Sequence, residues 1–329
     1  MKKIKSLMIT GGTGSFGKAF TNHLLEKYPN IKRLVIFSRD ELKQYDMLNS
    51  INSKYHSRLR FFLGDIRDKD RLKVALENVE VVVHAAALKQ VPAAEKNPFE
   101  VIKTNIIGAQ NVIEGCLHNT VKKVIALSTD KAAAPINLYG ATKLCSDKLF
   151  TSASNYAGNR DIKFSVVRYG NVMGSRGSIL PLFLKSKKKK IFPITHQEMT
   201  RFNISLNESI DAVVWAIRNM LGGEIFIPKI KSFKIIDLAK AISSNAKIKI
   251  IGIRPGEKIH EEMVTKNDAM NCTDLGKYYA IVSPFSKFPI DKYCRIKKSK
   301  KVNDGFSFSS NTNGDYLSIM QLKQIIQKI

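Results

Sequence analysis

The chain begins with a short apolar stretch followed at once by a glycine-rich turn, and this pair constrains the fold more than any other feature. Residues 6–10 have the composition of a buried strand, and a G-x-x-G-x-x-G pattern separates them from a predicted helix. Such a turn lets the backbone approach a pyrophosphate that the helix N-terminus stabilises. Glycine-rich turns alone are common, but this strand-turn-helix context predicts a dinucleotide site. Its expected contacts are Gly11, Thr13, Gly14, Ser15, Phe16 and Gly17.

Apolar stretches and helical patterns continue to alternate through the first half of the chain. The alternation predicts an α/β fold with a Rossmann-like, doubly wound parallel sheet. The predicted strands are 34–38, 59–63, 79–87, 121–128 and 164–169, and the predicted helices between them include 99–118 and 138–156.

Beyond residue 172 the alternation loosens, and helices are predicted near 178–187, 207–220 and 235–243. We expect a nucleotide-binding domain over residues 1–172 and a smaller C-terminal substrate-binding lobe over 173–284, interleaved with the sheet edge. Residues 285–329 are polar and irregular, which predicts a C-terminal extension that is extended except for a short terminal helix.

The residues after the second, third and fourth strands indicate which dinucleotide binds. NAD-binding proteins usually place an acid after the second strand, whereas this chain has Ser38-Arg39, and an arginine fits the 2′-phosphate of NADP. NAD is the less favoured cofactor, and Arg39 as an ordinary surface residue is the alternative. Asp65, next to Ile66, is expected to bond the adenine amino group. Ala85 and Ala86 are small enough for a ribose to lie against the backbone.

Two pairs of titratable residues predict proton chemistry. Tyr139 and Lys143 are spaced to share one helix face, where a cation lowers the pKa of a phenol from about 10. The phenolate then accepts a proton from a sugar or steroid hydroxyl. Asp130 and Lys131 form a second acid/base pair that simple alcohol oxidation does not need. The alternatives are a structural ion pair at 130–131 and core packing for the tyrosine and its lysine.

The formal net charge of +26 raises the question of an anionic partner. The lysines are spread along the chain apart from the run at 185–190, which we interpret as a solvated helix end or loop rather than a nucleic-acid patch. No apolar run is long enough for a transmembrane helix, and no signal peptide precedes the first strand. We therefore expect a cytoplasmic protein without membrane or nucleic-acid partners. The spacing of cysteines and histidines implies no metal.

Taken with these motifs, several ordered blocks resemble the extended short-chain dehydrogenase/reductase superfamily. Within it, the chain most resembles the inverting UDP-N-acetylglucosamine (UDP-GlcNAc) 4,6-dehydratases, which start pseudaminic acid synthesis for flagellin glycosylation and have relatives in capsule and O-antigen pathways. The blocks are residues 38–44, 128–132, 137–143, 168–178, 199–202 and 251–258.

The resemblance implies roles for the catalytic candidates. Tyr139, assisted by Lys143, takes the C4 hydroxyl proton while NADP⁺ takes the C4 hydride, and Thr129 bonds the same oxygen. Lys131 removes the C5 proton, and Asp130 protonates the departing C6 hydroxyl. Hydride then returns to C6, which regenerates the tightly bound cofactor and gives a UDP-2-acetamido-2,6-dideoxy-L-arabino-hex-4-ulose.

The resemblance also implies a homo-oligomer and a set of contacts to the UDP-sugar. An arginine suits a pyrophosphate because its planar fork gives two bonds at once. The implied substrate-binding residues are Lys89, Asn171, Arg176, Arg201, Arg254 and Glu257.

Lys131 presents a physical difficulty, because an adjacent aspartate stabilises its ammonium form, which is not a base. A nearby cation such as Lys89 would oppose that effect. The chain also departs from the family pattern at three positions around the sugar pocket: Gln90 replaces a usual histidine, Ala134 a common asparagine and Asn203 a usual tryptophan.

Two other functions remain open at this point. A nucleotide-sugar epimerase on the same fold would also use Tyr139 and Lys143, but 4-epimerisation needs neither a C5 base nor a C6 acid. A non-catalytic NADP-binding module is the second alternative, and the intact Thr129, Tyr139 and Lys143 set disfavours it.

Overall fold

A ten-stranded mixed sheet organises the molecule in our computed structural model, which describes residues 1–174, 179–186 and 190–328. The strands are β1 (Ser6–Thr10), β2 (Arg33–Ser38), β3 (Leu59–Leu63), β4 (Val81–His84), β5 (Lys123–Thr129), β6 (Lys163–Tyr169), β7 (Asn171–Val172), β8 (Ile191–Ile194), β9 (Thr200–Ile204), β10 (Glu224–Pro228), β11 (Ser232–Lys234), β12 (Lys247–Ile250), β13 (Glu262–Val264), β14 (Cys272–Asp274), β15 (Tyr278–Val282), β16 (Lys300–Lys301) and β17 (Phe308–Ser309).

Helices connect these strands. They are α1 (Ser15–Lys27), α2 (Glu41–Ser50), α3 (Lys69–Ala75), α4 (Val91–Lys96), α5 (Pro98–Ile102), α6 (Gly108–His118), α7 (Leu138–Ser152), α8 (Ile179–Ser186), α9 (Leu206–Asn219), α10 (Ile235–Ile242), α11 (Ile290–Lys297) and α12 (Ile319–Gln327). A π-helical turn at Lys103–Ile107 joins α5 to α6, and a 3₁₀ turn at Asp130–Ala132 follows β5.

The strand order of the large sheet is β16-β14-β15-β10-β6-β5-β4-β1-β2-β3. Strands β10 through β3 in this order pair in parallel, and β15, β14 and β16 add an antiparallel edge. Every residue of β1 and β4 is buried, as expected for parallel strands covered by helices on both faces. The predicted doubly wound, Rossmann-like sheet is confirmed. Its winding reverses between β1 and β4, so a ligand crevice opens at the carboxyl ends of these two strands.

A second hydrophobic core lies beside the main one and is built by residues from the C-terminal half. Strands β8 and β12 pair in parallel against it, and β9 joins β7 and β11 in a small separate sheet. The large buried side chains of this core are Leu180, Phe183, Phe192, Phe233, Leu238 and Leu322. This core gives the expected smaller lobe a physical basis, while the boundaries at residues 172 and 284 stay predictions.

The predicted extended tail is wrong for residues 290–301. That segment forms α11 and the edge strand β16, and Tyr293 of α11 is fully buried. The polar composition of this segment did not reveal its amphipathic helix, because few residues of the helix face the core. The predicted short terminal helix is present as α12. The described residues contain no helix that is long and apolar enough to cross a membrane.

Ala134 adopts a left-handed backbone conformation, with φ of 43°, on the exposed loop before α7. A residue with a Cβ pays about 1–2 kcal/mol in this region, and asparagine tolerates it better than alanine. We expect Ala134→Asn to raise the free energy of unfolding by about 1 kcal/mol, measured by urea denaturation. Ala93→Asn, at an exposed position within α4, is the control and should lower stability by about 0.5 kcal/mol. Equal losses in both variants would contradict the interpretation.

Candidate active site

The glycine-rich turn closes one side of the crevice at the carboxyl ends of β1 and β4. Gly11 has a φ of +66°, and a Cβ on it would lie 2.9 Å from the backbone of Ala86. Helix α1 begins directly after its N-cap, Gly14, which has no side chain that could accept from the first N–H groups of the helix. The first N–H groups of α1 are therefore available to an anion. A backbone cradle that admits only glycine, beside an uncapped helix N-terminus, fits the pyrophosphate of a dinucleotide.

Other predicted contacts to the dinucleotide surround the same crevice. The N–H groups of Ala85 and Ala86 donate to the hydroxyl of Thr10 at 3.2 and 3.3 Å, which fixes the end of β4 against β1. Ser38 is buried and accepts from Gln44, whereas the Arg39 guanidinium that follows is half exposed. Arg39 lies 3.5 Å from the carboxylate of Asp65 at the end of the neighbouring strand. Of the remaining predicted contacts, Ile66 is buried, Phe16 and Thr13 are partly buried and Ser15 is exposed.

The 3₁₀ turn after β5 brings together the predicted acid and base. Asp130 is fully buried, and its Oδ1 lies 3.1 Å from Nζ of Lys131. Thr129 donates to the same carboxylate oxygen at 2.9 Å. A second carboxylate completes the cluster, because Oε1 of Glu261 lies 3.0 Å from Nζ of Lys131. Glu261 is itself nearly fully buried, so two carboxylates share one ammonium in a largely dry site.

The charges of this cluster set its protonation. Burial raises the pKa of Asp130, and the carboxylate of Glu261 adds to the effect, although Lys131 opposes both. Burial alone would lower the pKa of Lys131, but the carboxylates of Asp130 and Glu261 raise it overall. The pKa of Glu261 is lowered, because the cations of Lys131 and Arg201 outweigh its burial. Asp130 is thus disposed to be an acid, and Glu261 remains a carboxylate.

Tyr139 and Lys143 lie on α7, which packs tightly on the turn that carries Lys131. Gly140 permits this approach, since a Cβ there would collide with the carbonyl oxygen of Lys131. The side chain of Asn137 caps the helix by accepting from the N–H of Gly140 at 2.8 Å. The helix and the turn therefore form one unit that holds the phenol near the acid/base pair.

The expected lowering of the Tyr139 pKa by Lys143 is not found in this structure. Burial raises the pKa of Tyr139 to about 12, and the cation that opposes this rise is Lys131. Nζ of Lys143 instead donates to the carbonyl oxygen of Leu127 at 2.8 Å. Burial also lowers the pKa of Lys143, which favours its neutral form. Helical spacing placed both side chains correctly, but it did not show which cation acts on the phenol.

The predicted substrate contacts occupy different environments. Arg201 is buried, and its guanidinium donates to the backbone oxygens of Thr200 and Ile259 at 2.7 and 3.0 Å. It also lies 3.6 Å from Glu257 and 3.7 Å from Glu261. These bonds make Arg201 part of the scaffold of the acid/base cluster, and its binding of the substrate pyrophosphate remains a prediction.

The remaining predicted substrate contacts are less engaged with the protein. Asn171 is partly buried in β7, while Lys89 and Arg254 are exposed on loops. Glu257 accepts from the hydroxyl of Thr195 at 3.2 Å. Arg176 lies outside the described residues. The cation that opposes protonation of Lys131 is Arg201, whereas the sequence suggested Lys89 for that effect.

Sequence reasoning missed Glu261. It follows the block at 251–258 by three residues and stands beside a second glutamate, Glu262, so only the fold distinguishes the two. Of the three departures from the family pattern, Gln90 is the N-cap of α4 and Asn203 lies buried in β9. Within the described part of the chain, Oδ1 of Asn203 has no hydrogen-bond partner.

The doubly wound sheet, the glycine cradle and the Tyr-x-x-x-Lys helix together define a protein of the short-chain dehydrogenase/reductase type. More specifically, the chain belongs to the polysaccharide biosynthesis protein family, which matches residues 7–283. The resemblance to the inverting UDP-GlcNAc 4,6-dehydratases is confirmed. The chain is 54% identical to the inverting UDP-N-acetylglucosamine 4,6-dehydratase of Campylobacter jejuni, over 98% of this chain and 97% of that protein.

Other similar proteins carry different names. A UDP-glucose 4-epimerase of Rickettsia typhi is 42% identical, with 98% of this chain and 95% of that protein covered. Among solved structures, Pen from Bacillus thuringiensis superposes with a TM-score of 0.87 at 35% identity, covering 100% of this chain and 98% of that one. DesIV, a dTDP-glucose 4,6-dehydratase from Streptomyces venezuelae solved with NAD bound, has a TM-score of 0.66 at 21% identity over 77% of this chain and 86% of that one.

Proposed function

We propose that the protein is a UDP-GlcNAc 4,6-dehydratase that inverts C5, acting in the first step of pseudaminic acid or related surface-glycan synthesis. The observation that carries the proposal is the buried Asp130–Lys131 pair beside Tyr139. Elimination of water across C5 and C6 needs an acid and a base in addition to the group that oxidises C4. The identity of 54% to the Campylobacter jejuni dehydratase supports the same reaction.

The side chains of the site divide the proton transfers among them. A bound nicotinamide cofactor would supply the hydride chemistry that oxidises C4 and reduces C6. Tyr139, as the phenolate that the cation of Lys131 favours against the effect of burial, takes the C4 hydroxyl proton. Thr129 bonds the same oxygen, and the resulting ketone acidifies C5. Lys131 then takes the C5 proton as Asp130 gives its own proton to the C6 hydroxyl, which departs as water. Reprotonation of C5 from the opposite face gives the L-configured product.

We propose NADP as the cofactor. The residues that would hold it are the Gly11 and Gly14 turn for the pyrophosphate and Arg39 for the 2′-phosphate. The guanidinium of Arg39 is exposed at the end of β2, where an acid would be needed to bond a free 2′-hydroxyl. The homo-oligomeric state and the cytoplasmic location remain predictions.

An epimerase is the second candidate, because the Rickettsia typhi relative carries that name. Epimerisation at C4 would use Tyr139, Lys143 and the cofactor, and it needs neither a C5 base nor a C6 acid. It would leave the buried Asp130–Lys131–Glu261 cluster without a chemical function, although such a cluster is costly to bury. The dehydratase is therefore the function that the geometry favours.

Incubation of the protein with UDP-GlcNAc tests this proposal. We expect a product that has lost one water, carries a 4-keto group and has the L configuration at C5, as read by mass spectrometry and NMR. In ²H₂O the product should carry deuterium at C5. Protein stripped of cofactor should recover activity with NADP⁺ at lower concentrations than with NAD⁺. UDP-GalNAc of unchanged mass as the product would instead establish the epimerase, and Tyr139→Phe is the inactive control.

A further inference from the structure

We propose that Glu261 is a positioning residue for the dehydration: it orients Lys131 and stabilises the ammonium that forms when Lys131 takes the C5 proton. The inference rests on the proposed function, since it concerns the base of that reaction. Glu261 would act through Lys131, without contact to the sugar.

The geometry places Glu261 where such a role requires it. Its Oε1 is 3.0 Å from Nζ of Lys131, an ammonium that Asp130 also contacts at 3.1 Å. The side chain of Glu261 is 3% exposed and that of Lys131 is 25% exposed, so water screens this contact less than it would at the surface. Two buried carboxylates thus contact Nζ at once, which restricts the position of the nitrogen.

The backbone of Glu261 is also held from a distant part of the chain. Its N–H donates to the hydroxyl of Ser310 at 2.9 Å, and its carbonyl oxygen accepts from the N–H of Ser310 at 2.8 Å. The hydroxyl of Ser309 donates to the same carbonyl oxygen at 3.2 Å. Strand β13 follows directly and pairs with β17. Glu261 therefore lies on a rigid element, as a group that positions a base must.

The charge balance of the elimination explains why a fixed anion helps. Lys131 rests as an ammonium beside its two carboxylates, and the step begins once it passes that proton to Asp130, which gives a neutral acid and a neutral amine. Nζ then takes the C5 proton, while the O–H bond of Asp130 breaks and its proton leaves with the C6 hydroxyl as water. The pair ends as a carboxylate and an ammonium. A permanent carboxylate at 3.0 Å stabilises that ammonium, much as the buried aspartate of a serine protease stabilises its imidazolium.

Several charged groups face Glu261 and Lys131 and determine the sign of the effect. Asp130 adds negative charge near Lys131, and Arg201 and Lys258 add positive charge near Glu261. Tyr139 lies close enough for its pKa to respond to Lys131 and Asp130. Removing the charge of Glu261 lowers the pKa of Lys131 and of Asp130, since both rise in its presence. The amine then loses its proton at a lower pH but is a weaker base.

Glu261→Gln tests the proposal because it keeps the shape and removes the charge. We expect kcat on the plateau of its pH profile to fall about 10²-fold, because Nζ is less well positioned and the amine is a weaker base, with KM for UDP-GlcNAc little changed. The acid limb of the plot of kcat/KM against pH reports the titration of the Asp130–Lys131 pair. This limb should move to lower pH by about one to three pH units. Glu261→Asp, which restores the charge on a shorter side chain, should restore the position of the limb and only part of kcat. Glu262→Gln is the matched control and should keep the wild-type acid limb and the wild-type kcat.

A direct titration separates this proposal from the dehydratase assignment. In protein with ¹³C-labelled lysine, the Cε signal of Lys131, identified by its loss in Lys131→Met, should titrate at lower pH in Glu261→Gln than in the wild type. This measurement needs no substrate turnover. The effect of Glu261 on Lys131 can therefore be tested even if the protein does not dehydrate UDP-GlcNAc. An unchanged titration, or a lower kcat with an unmoved acid limb in a folded variant, would overturn the proposal.

Discussion

Lys131→Met is expected to lower kcat for UDP-GlcNAc dehydration by about 10³-fold. Methionine matches the length of lysine but has no nitrogen to accept the C5 proton. The glycine cradle lies on other elements, so cofactor binding should be unchanged. Turnover, cofactor affinity and deuterium incorporation at C5 are the three measurements.

Lys148→Met is the matched control for this variant, because Lys148 is an exposed residue on α7. It should keep full activity. Lys131→Met leaves two buried carboxylates without their shared cation, so its stability must be measured by urea denaturation beside the assay. A folded Lys131→Met protein with wild-type kcat would show that Lys131 is not the base.

Arg168→Met is expected to lower the free energy of unfolding by about 3–5 kcal/mol, the largest predicted effect on stability. The guanidinium of Arg168 lies 3.1 Å from the carboxylate of Asp147, and both side chains are almost fully buried. Arg168 also donates to the carbonyl oxygen of Met263 at 3.0 Å, which joins β6 to β13. The substitution leaves the buried carboxylate of Asp147 without its cation. That carboxylate also accepts from the hydroxyl of Ser128 near the end of β5, which connects α7 to the sheet. Urea denaturation at neutral pH gives the change.

The double variant Asp147→Asn with Arg168→Met separates charge from packing. Without a stranded carboxylate, its loss of stability should be smaller than that of Arg168→Met alone. Equal losses in the single and double variants would mean that the contact with Met263, rather than the ion pair, carries the stability. Either result bears on the site, because Asp147 also favours the charged form of Lys143.

The parts of the molecule that could be predicted from sequence are those specified by neighbouring residues. Periodicity located the buried parallel strands, and the spacing of Gly11, Gly14 and Gly17 located the turn that follows β1. Glu261 could not be predicted in this way, because its contact with Lys131 joins segments that are far apart in the chain. The pKa of Tyr139 could not be predicted from sequence either, since it depends on burial rather than on the lysine one turn away.

The hydrogen bonds between Ser310 and Glu261 have a consequence for the order in which the protein becomes competent on the ribosome. The dinucleotide cradle, α7 and the Asp130–Lys131 turn all emerge early. The anchor of Glu261 is translated much later. A chain released before Ser310 would lack the hydrogen bonds that hold the backbone of Glu261, and with them the support of the base. The last residues of the chain to be made are thus needed before the proposed base is correctly placed.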